Sequence, residues 1–437
     1  MSGRLLASVL VLCLTAAPLP LAAQQQPPLR DRIQQLFSFG NCGKPLCLDG
    51  SVSAANGHGE HFLPDVAAGN STIIGFLSDA IAVNASNLPL SASGSSQTFK
   101  FVGGLPVRTS ASFGPVFGER AQPLGKGRLV VGANLSGINF NSIRGVPLDK
   151  LVLNFTHEDV PGVGRPGLGD PEKENDVLQV QLQLYLDLLV STLFATYGLD
   201  DQTDVSVAIP LVHTSMQGRS AAQILPFGGP TAVHFFTGTP EDPGLSASAA
   251  TFGSHTGIGD IALRVKRALR RDERFGVSLM ADARLPTGSE EDLSGSGHLA
   301  LRGLLIASGR FGDFSPHVNA GYVWRGGNRR NDGLLLTAGF DQPLSGWATI
   351  AADLVSDWEI GKSALELPGT VSFLYPFVRT VEPTNIPEMR DHRVNGSLGF
   401  KFRTPGGPIL VTNLLVPLRR GGLQSSFVWT LGVDLNF

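Results

Sequence analysis

The stretch Asp176-Val-Leu-Gln-Val-Gln-Leu-Gln-Leu-Tyr-Leu-Asp-Leu-Leu-Val190 decides the fold class. Its even positions, Leu178, Val180, Leu182, Leu184, Leu186, Leu188 and Val190, are all apolar, whereas Gln179, Gln181, Gln183, Tyr185 and Asp187 fill the odd ones. Successive side chains of a β-strand point to opposite faces, so the segment has one apolar and one polar face. Wound as a helix, it would scatter the leucines around the whole circumference. A strand of about ten such residues can cross a bilayer if its backbone is paired on both sides. The apolar face is then expected to meet hydrocarbon and the polar face a hydrated interior.

The rest of the chain is compatible with a barrel of such strands. Of its 437 residues only 16% are charged and 53 are glycine, and the formal net charge of −3 makes no case for nucleic acid. Past the N-terminus no apolar run reaches the length of a membrane-spanning helix, but barrel strands are short and only half apolar. The N-terminus reads as a cleaved secretory signal, residues 1–23: Arg4 gives the positive region, Leu5 to Leu14 the apolar core, and Leu21-Ala22-Ala23 the small-residue site before Gln24. Cys13 leaves with it. In an exported chain the remaining Cys42 and Cys47 are most simply a short-loop disulfide. A zinc site adding His58 and His61 is the weaker alternative, its spacing matching no standard finger.

Residues 24–95 lack long alternation and read as a small plug or periplasmic segment, and residues 96–437 as the barrel. Strands follow at 97–102, 128–140, 146–156, 176–198 and 204–212, with 214–257 as a long linker. Beyond it, Phe275, Val277, Leu279, Ala281, Ala283 and Leu285 alternate with Ser278, Asp282 and Arg284, and the pattern repeats to Phe437. The total is about fourteen strands, with twelve to fourteen as the range, and even numbers suit single-chain bacterial barrels. Tight Gly-, Asp- and Pro-rich turns near 141–146, 199–203, 270–274, 309–313, 341–346 and 404–407 alternate with mostly longer connections, as in periplasmic turns and outer loops. A soluble pair of β-sandwiches, the competing fold, requires no such alternation.

Two stretches resemble known families. The last strand, with Trp429, Leu435 and a terminal Phe437, resembles the signal read by the outer-membrane barrel assembly machinery. Gly257-Ile-Gly-Asp-Ile-Ala-Leu-Arg-Val-Lys266, Leu285-Pro-Thr-Gly288 and Gly295-Ser-Gly-His-Leu-Ala-Leu301 resemble the outer-membrane family assigned to the MetA pathway of phenol degradation. That family is similar to the transporters of long-chain fatty acids and aromatic hydrocarbons, which implies a barrel of fourteen strands and an N-terminal plug. The resemblance implies a passive channel for small hydrophobic compounds in a Gram-negative outer membrane, with lipid, the assembly machinery and a small hydrophobic ligand as partners. A structural or adhesive barrel, binding partners through loops 214–257 and 359–388, is the alternative.

Catalytic constellations are weak. His298 with Ser294 or Ser296 and Asp282 could form a triad, but no nucleophile sits in a recognisable elbow, so no enzyme and no cofactor is expected. Charges are costly on a lipid-facing surface, so Arg264, Lys266, Asp282, Arg284, Arg302, Asp353, Asp357, Lys401 and Arg403 are assigned to the lumen. They serve there either as a selectivity lining or as ion pairs bracing the wall. Trp324, Tyr322, Trp347, Trp358 and Trp429 read as interfacial girdle residues.

Overall fold

The computed structural model describes residues 27–39, Ala80, 99–102, 105–108 and 112–437, apart from 158–173, 228–233, 273 and 328–330. The expected signal segment, Cys42, Cys47, His58 and His61 lie outside the described residues.

Fourteen longer strands are numbered here in chain order. They are β1 (Leu129–Ile143), β2 (Leu151–Thr156), β3 (Val177–Gly198), β4 (Thr203–Leu225), β5 (Ser246–Ile258), β6 (Ala262–Arg271) and β7 (Phe275–Arg284). The others are β8 (Ala300–Gly309), β9 (Ser315–Arg325), β10 (Gly333–Pro343), β11 (Ala348–Glu359), β12 (Arg393–Arg403), β13 (Ile409–Pro417) and β14 (Leu423–Asn436). Twelve of them close an antiparallel barrel in the order β1-β3-β4-β6-β7-β8-β9-β10-β11-β12-β13-β14, with β14 returning to β1. Closure leaves no sheet edge exposed to lipid. At the seam the Leu129 N–H donates to the Phe437 carbonyl (3.1 Å) and the Phe437 N–H to that of Leu129 (2.8 Å).

The strand count falls at the low end of the expected range for two reasons. Phe99–Val102 pairs only with Leu105–Arg108, in a separate two-stranded sheet. Strand β2 pairs with Val177–Leu182 of β3, above the part of β3 that β1 occupies. The turn at 141–146, expected among the periplasmic ones, therefore lies at the outer end. Arg144 and Gly145 take positive φ there, 48° and 84°. The short turns at 199–202, 272–274, 310–314, 344–347 and 404–408 do share the end where Leu129 meets Phe437, taken as periplasmic.

Strands β6, β7 and β8 have ten residues each, enough to cross a bilayer when tilted. Strands β3 and β4 have 22 and 23 residues, roughly twice that length, and so project beyond the membrane. There the pair is widened by β2 on one side and β5 on the other; β5 covers Leu211–Gln223 of β4, whereas β6 covers Thr203–Ala208. The expected linker at 214–257 is thus largely β-sheet.

This extension reverses one expectation. Leu178, Val180, Leu182, Leu184, Leu186, Leu188 and Val190 are buried inside, not set against lipid, and Gln181, Gln183, Tyr185 and Asp187 are exposed outside. The alternation was real, but above the bilayer the outer surface meets water, so polarity is arranged as in a soluble protein. Each buried leucine contributes roughly 1.5–3 kcal/mol relative to exposure. Lower on β3 the same even face carries Thr192, Phe194 and Thr196, while Leu189, Leu193 and Tyr197 are exposed outward. Leu263, Leu279, Leu305, Leu336, Leu354, Leu398 and Leu431 continue this apolar belt around the barrel, which is that of an outer-membrane protein.

Helix α1 (Leu29–Gln35) packs inside the extension. Its Leu29 and Ile33, one turn apart, join Leu36, Phe37 and Phe39 in the core that contains the β3 leucines. Pro28 precedes the helix, where its missing N–H costs nothing. Arg30 pairs with Glu290 (2.5 Å), and the Ser220 hydroxyl donates to the Leu36 carbonyl (2.5 Å).

Candidate functional site

The barrel interior near the periplasmic end is crossed by an irregular segment, residues 112–124, expected as a loop. Irregular backbone at membrane depth is tolerated only where protein satisfies its polar groups, and here the wall does so. The Phe113 N–H donates to Thr349 Oγ1 (3.1 Å), those of Phe117 and Gly118 to Asp353 Oδ2 (3.3 and 3.4 Å), and that of Leu124 to Asp204 Oδ1 (3.0 Å). Asn319 clasps Glu119 from both directions, accepting from its N–H (2.7 Å) and donating to its carbonyl (2.9 Å). Ala121 donates to Ser308 Oγ (3.1 Å) and accepts from the Ser278 hydroxyl. The passage is tight at Gly118, where a Cβ would lie 2.1 Å from His317 Nε2.

Besides Arg264, which reaches Glu119 from higher up the wall, four of the nine assigned charges touch or support this segment. Lys266 donates to the Arg120 carbonyl (3.3 Å) and lies 3.7 Å from both Glu119 and Asp204. Asp353 accepts from the segment and from His317 Nε2 (2.6 Å). Lys401 is fully buried and donates to the Phe113 carbonyl (3.4 Å), while the Arg403 guanidinium lies 5.3 Å from the Phe113 ring centre. Among the partners absent from the sequence reading are Glu119, Arg120 and Asp341. Arg120 forms a buried pair with Asp341, to which Ser112 also bonds. Nothing periodic marks 112–124, so its lumenal course had no signal in the sequence.

The other five form a ladder higher up the wall. Asp282 is shared by Arg264 (3.2 Å), Arg302 (3.0 Å) and Arg284 (3.6 Å), and Arg264 also reaches Glu119 (2.6 Å). Toward the outer end Asp357 sits between Arg325 (2.5 Å) and Arg393 (2.7 Å). Those residues lie on β9, β11 and β12, and the intervening β10 contributes Gly333 at the crossing. A Cβ there would come within 2.4 Å of Asp357 Oδ1 and 3.0 Å of Arg325 Nη1.

Between segment and ladder lies a cavity of about 210 Å³. One side, from β6 round to β12, presents Arg264, Arg302, Arg325, Asp357 and Arg393, set among the apolar Met280, Leu304, Val323, Leu335 and Val355. The opposite side, from β13, β14 and β1, presents Leu415, Leu423, Val428, Ile138 and Phe140. This explains why Ile409–Pro417 is apolar on both faces: Val411 and Leu415 are buried inside, and Leu410 and Leu414 are exposed outside. Phe117 and Glu119 form the cavity floor.

The outer mouth is covered by residues 360–392. Arg144 binds Asp391 (2.8 Å) and the Pro387 carbonyl (3.1 Å), and Asn385 reaches the Lys150 carbonyl (2.8 Å). Arg379 stacks on Phe227 and Phe373 at 4.0 and 4.2 Å; burial draws its guanidinium below the ordinary value, against the field of Asp176. The region to which the adhesive alternative gives partner binding is therefore docked on the barrel.

The candidate triad is not assembled. Ser296 donates to Asp260 Oδ2 (2.6 Å), the Ser294 hydroxyl bonds with Ser289, and Asp282 belongs to the arginine ladder. Trp324, Tyr322 and Trp358 are exposed outward near the outer strand ends, and Trp347 at a periplasmic turn. Trp429 instead lies mid-strand opposite Gly137.

Residues 167–353 match the family model described as "Putative MetA-pathway of phenol degradation". The resemblance read at Gly257–Leu301 is borne out and reaches well beyond it. Among solved structures the chain is similar to the COG4313 outer membrane channel from Pseudomonas putida F1 (12% identity, TM-score 0.43, covering 72% of this chain and 98% of that one). It is also similar to a Pseudomonas aeruginosa FadL homologue (11%, 0.30, 71% and 89%) and to a deletion mutant of the TodX monoaromatic hydrocarbon channel (9%, 0.33, 73% and 91%). No curated protein matches the chain.

Proposed function

We propose that this relative of the MetA phenol-degradation family is a passive, non-enzymatic outer-membrane channel for small hydrophobic compounds, aromatic or fatty-acid-like. The observation that carries this reading is the lumenal cavity, enclosed by segment 112–124 below and walled on one side by Ile138, Leu415 and Val428. Pockets for small ligands combine such apolar walls with a few placed polar groups. In this proposal Arg264, Arg302 and Asp357 of the nine assigned charges line the permeation path, the others bracing its wall and segment 112–124, residues 27–39 close it from the outer side, and the final strand through Phe437 is read by the barrel assembly machinery during insertion.

The adhesive reading is weaker, because the 360–392 region is held to Arg144 and Lys150. The test is the initial uptake rate of labelled one-ring compounds by outer-membrane-intact cells carrying or lacking the chain. Faster uptake of at least one compound supports the channel. Identical rates for all of them would refute it.

A further inference from the structure

The charges of the cavity lining are confined to one side and the floor, apolar side chains making up much of the rest, and an occupant must satisfy both. We infer that the cargo is a small monocarboxylate with a one-ring body, its carboxylate at Arg302 and its ring against the Ile138–Leu415–Val428 wall. This rests on the channel reading and specifies its substrate class.

Size sets the first limit. A cavity of about 150 Å³ already accommodates benzene, so the 210 Å³ found here suits one ring with a small substituent and excludes a long chain. Charge sets the second. Four arginines line the cavity (264, 302, 325 and 393) against Glu119 and Asp357, with Asp282 directly behind Arg264 and Arg302, a balance of four minus three, or +1. An ammonium would face this excess, whereas an anion offsets it.

Arg302 is placed to read the anion. The Asp282 carboxylate that neutralises it is shared with Arg264 and Arg284, and Arg302 bonds it through Nη2 alone (3.0 Å). Its buried Nε has no partner among the described residues. Its side chain is 23% exposed, against 7% for Arg264 and for Arg284, so it is the open member of the cluster. A neutral hydrocarbon entering here would strip water from these donors and return nothing. A carboxylate replaces that water with charge-assisted hydrogen bonds to the guanidinium fork.

The test is equilibrium dialysis of the full-length, heat-modifiable protein in detergent against labelled benzoate. Saturable binding is expected, displaced by cyclohexanecarboxylate but not by acetate, which lacks the body, or by benzyl alcohol, which lacks the charge. Arg302→Gln should weaken benzoate binding about tenfold or more, and Arg267→Gln, on the outer surface, should leave it unchanged. Displacement by benzyl alcohol as effective as by cyclohexanecarboxylate, measured on the unaltered protein, would overturn the inference even if Arg302→Gln failed to fold. So would unchanged affinity in a folded Arg302→Gln. Accelerated cellular uptake of benzyl alcohol without benzoate binding would overturn the carboxylate and leave the channel standing; absence of both uptake and binding would remove the two together.

Discussion

Leu189 and His213 are cross-strand partners on β3 and β4, and the outer surface changes character at their level. Toward the periplasm Leu189, Leu193, Ile209 and Leu211 are exposed outward; in the other direction Asp187, Gln183, Ser215 and Gln217 take that face. His213 itself bonds Thr256 of β5 (2.7 Å). The boundary between hydrocarbon and water is thus drawn by adjacent residues on the two longest strands.

Lysine substitutions should locate that boundary. Leu193→Lys is expected to cost roughly 2–4 kcal/mol in lipid vesicles, and Gln183→Lys on the same outward face close to nothing. Leu182→Lys should also be damaging, but by placing a charge in the apolar core of the extension. Denaturant titrations would decide, with thiol labelling as a second measure: Gln183→Cys open to water-soluble reagents, Leu193→Cys protected. Equal costs at positions 183 and 193 would sink the assignment.

The Arg120–Asp341 pair should behave as a buried ion pair. Arg120→Ala leaves Asp341 enclosed without its cation and is expected to destabilise by about 3–5 kcal/mol. The double variant Arg120→Met with Asp341→Asn should recover most of this. If the double variant were as unstable as the single one, burial of an unpaired charge would not be the cause.

Gly118 tests whether segment 112–124 obstructs the lumen. Gly118→Val cannot be seated without moving His317 or the segment. Single-channel conductance in planar bilayers should rise, with the protein still heat-modifiable on gels. Conductance equal to that of the parent would show that the obstruction lies elsewhere.

Deleting Phe437 should lower the yield of folded barrel while leaving export intact. Two main-chain hydrogen bonds with Leu129 are lost at the seam, which leaves the periplasmic end of the closing strand pair unpaired. Fractionation followed by gel-shift analysis measures both quantities. A normal folded fraction would make the residue incidental to closure.

Much of the wall was legible because period-two alternation survives wherever one face is apolar. Leu279 exposed and Ser278 buried are where that pattern puts them. What alternation cannot state is which medium each face meets, and so Leu178–Val190 was assigned to lipid while its residues fill an interior. The ladder was legible as charge at inward positions, including Asp282 and Arg302. Glu119 and Arg120 were not, because an irregular segment advertises no period and its partners come from distant strands. Likewise β2 alternates like a wall strand, and only its pairing above β1 removes it from the barrel.

The segment's hydrogen bonds also bear on the order of events during folding. Its partners lie from 80 residues away, at Asp204, to 288 away, at Lys401. Contacts of such separation must be preceded by the loop closures that bring them together, which makes them slow to form. Residues 112–124 are made before every strand of the barrel, yet they find their partners only when β4 to β12 stand side by side. The same short stretch that narrows the finished lumen is therefore among the last parts of the chain to be satisfied.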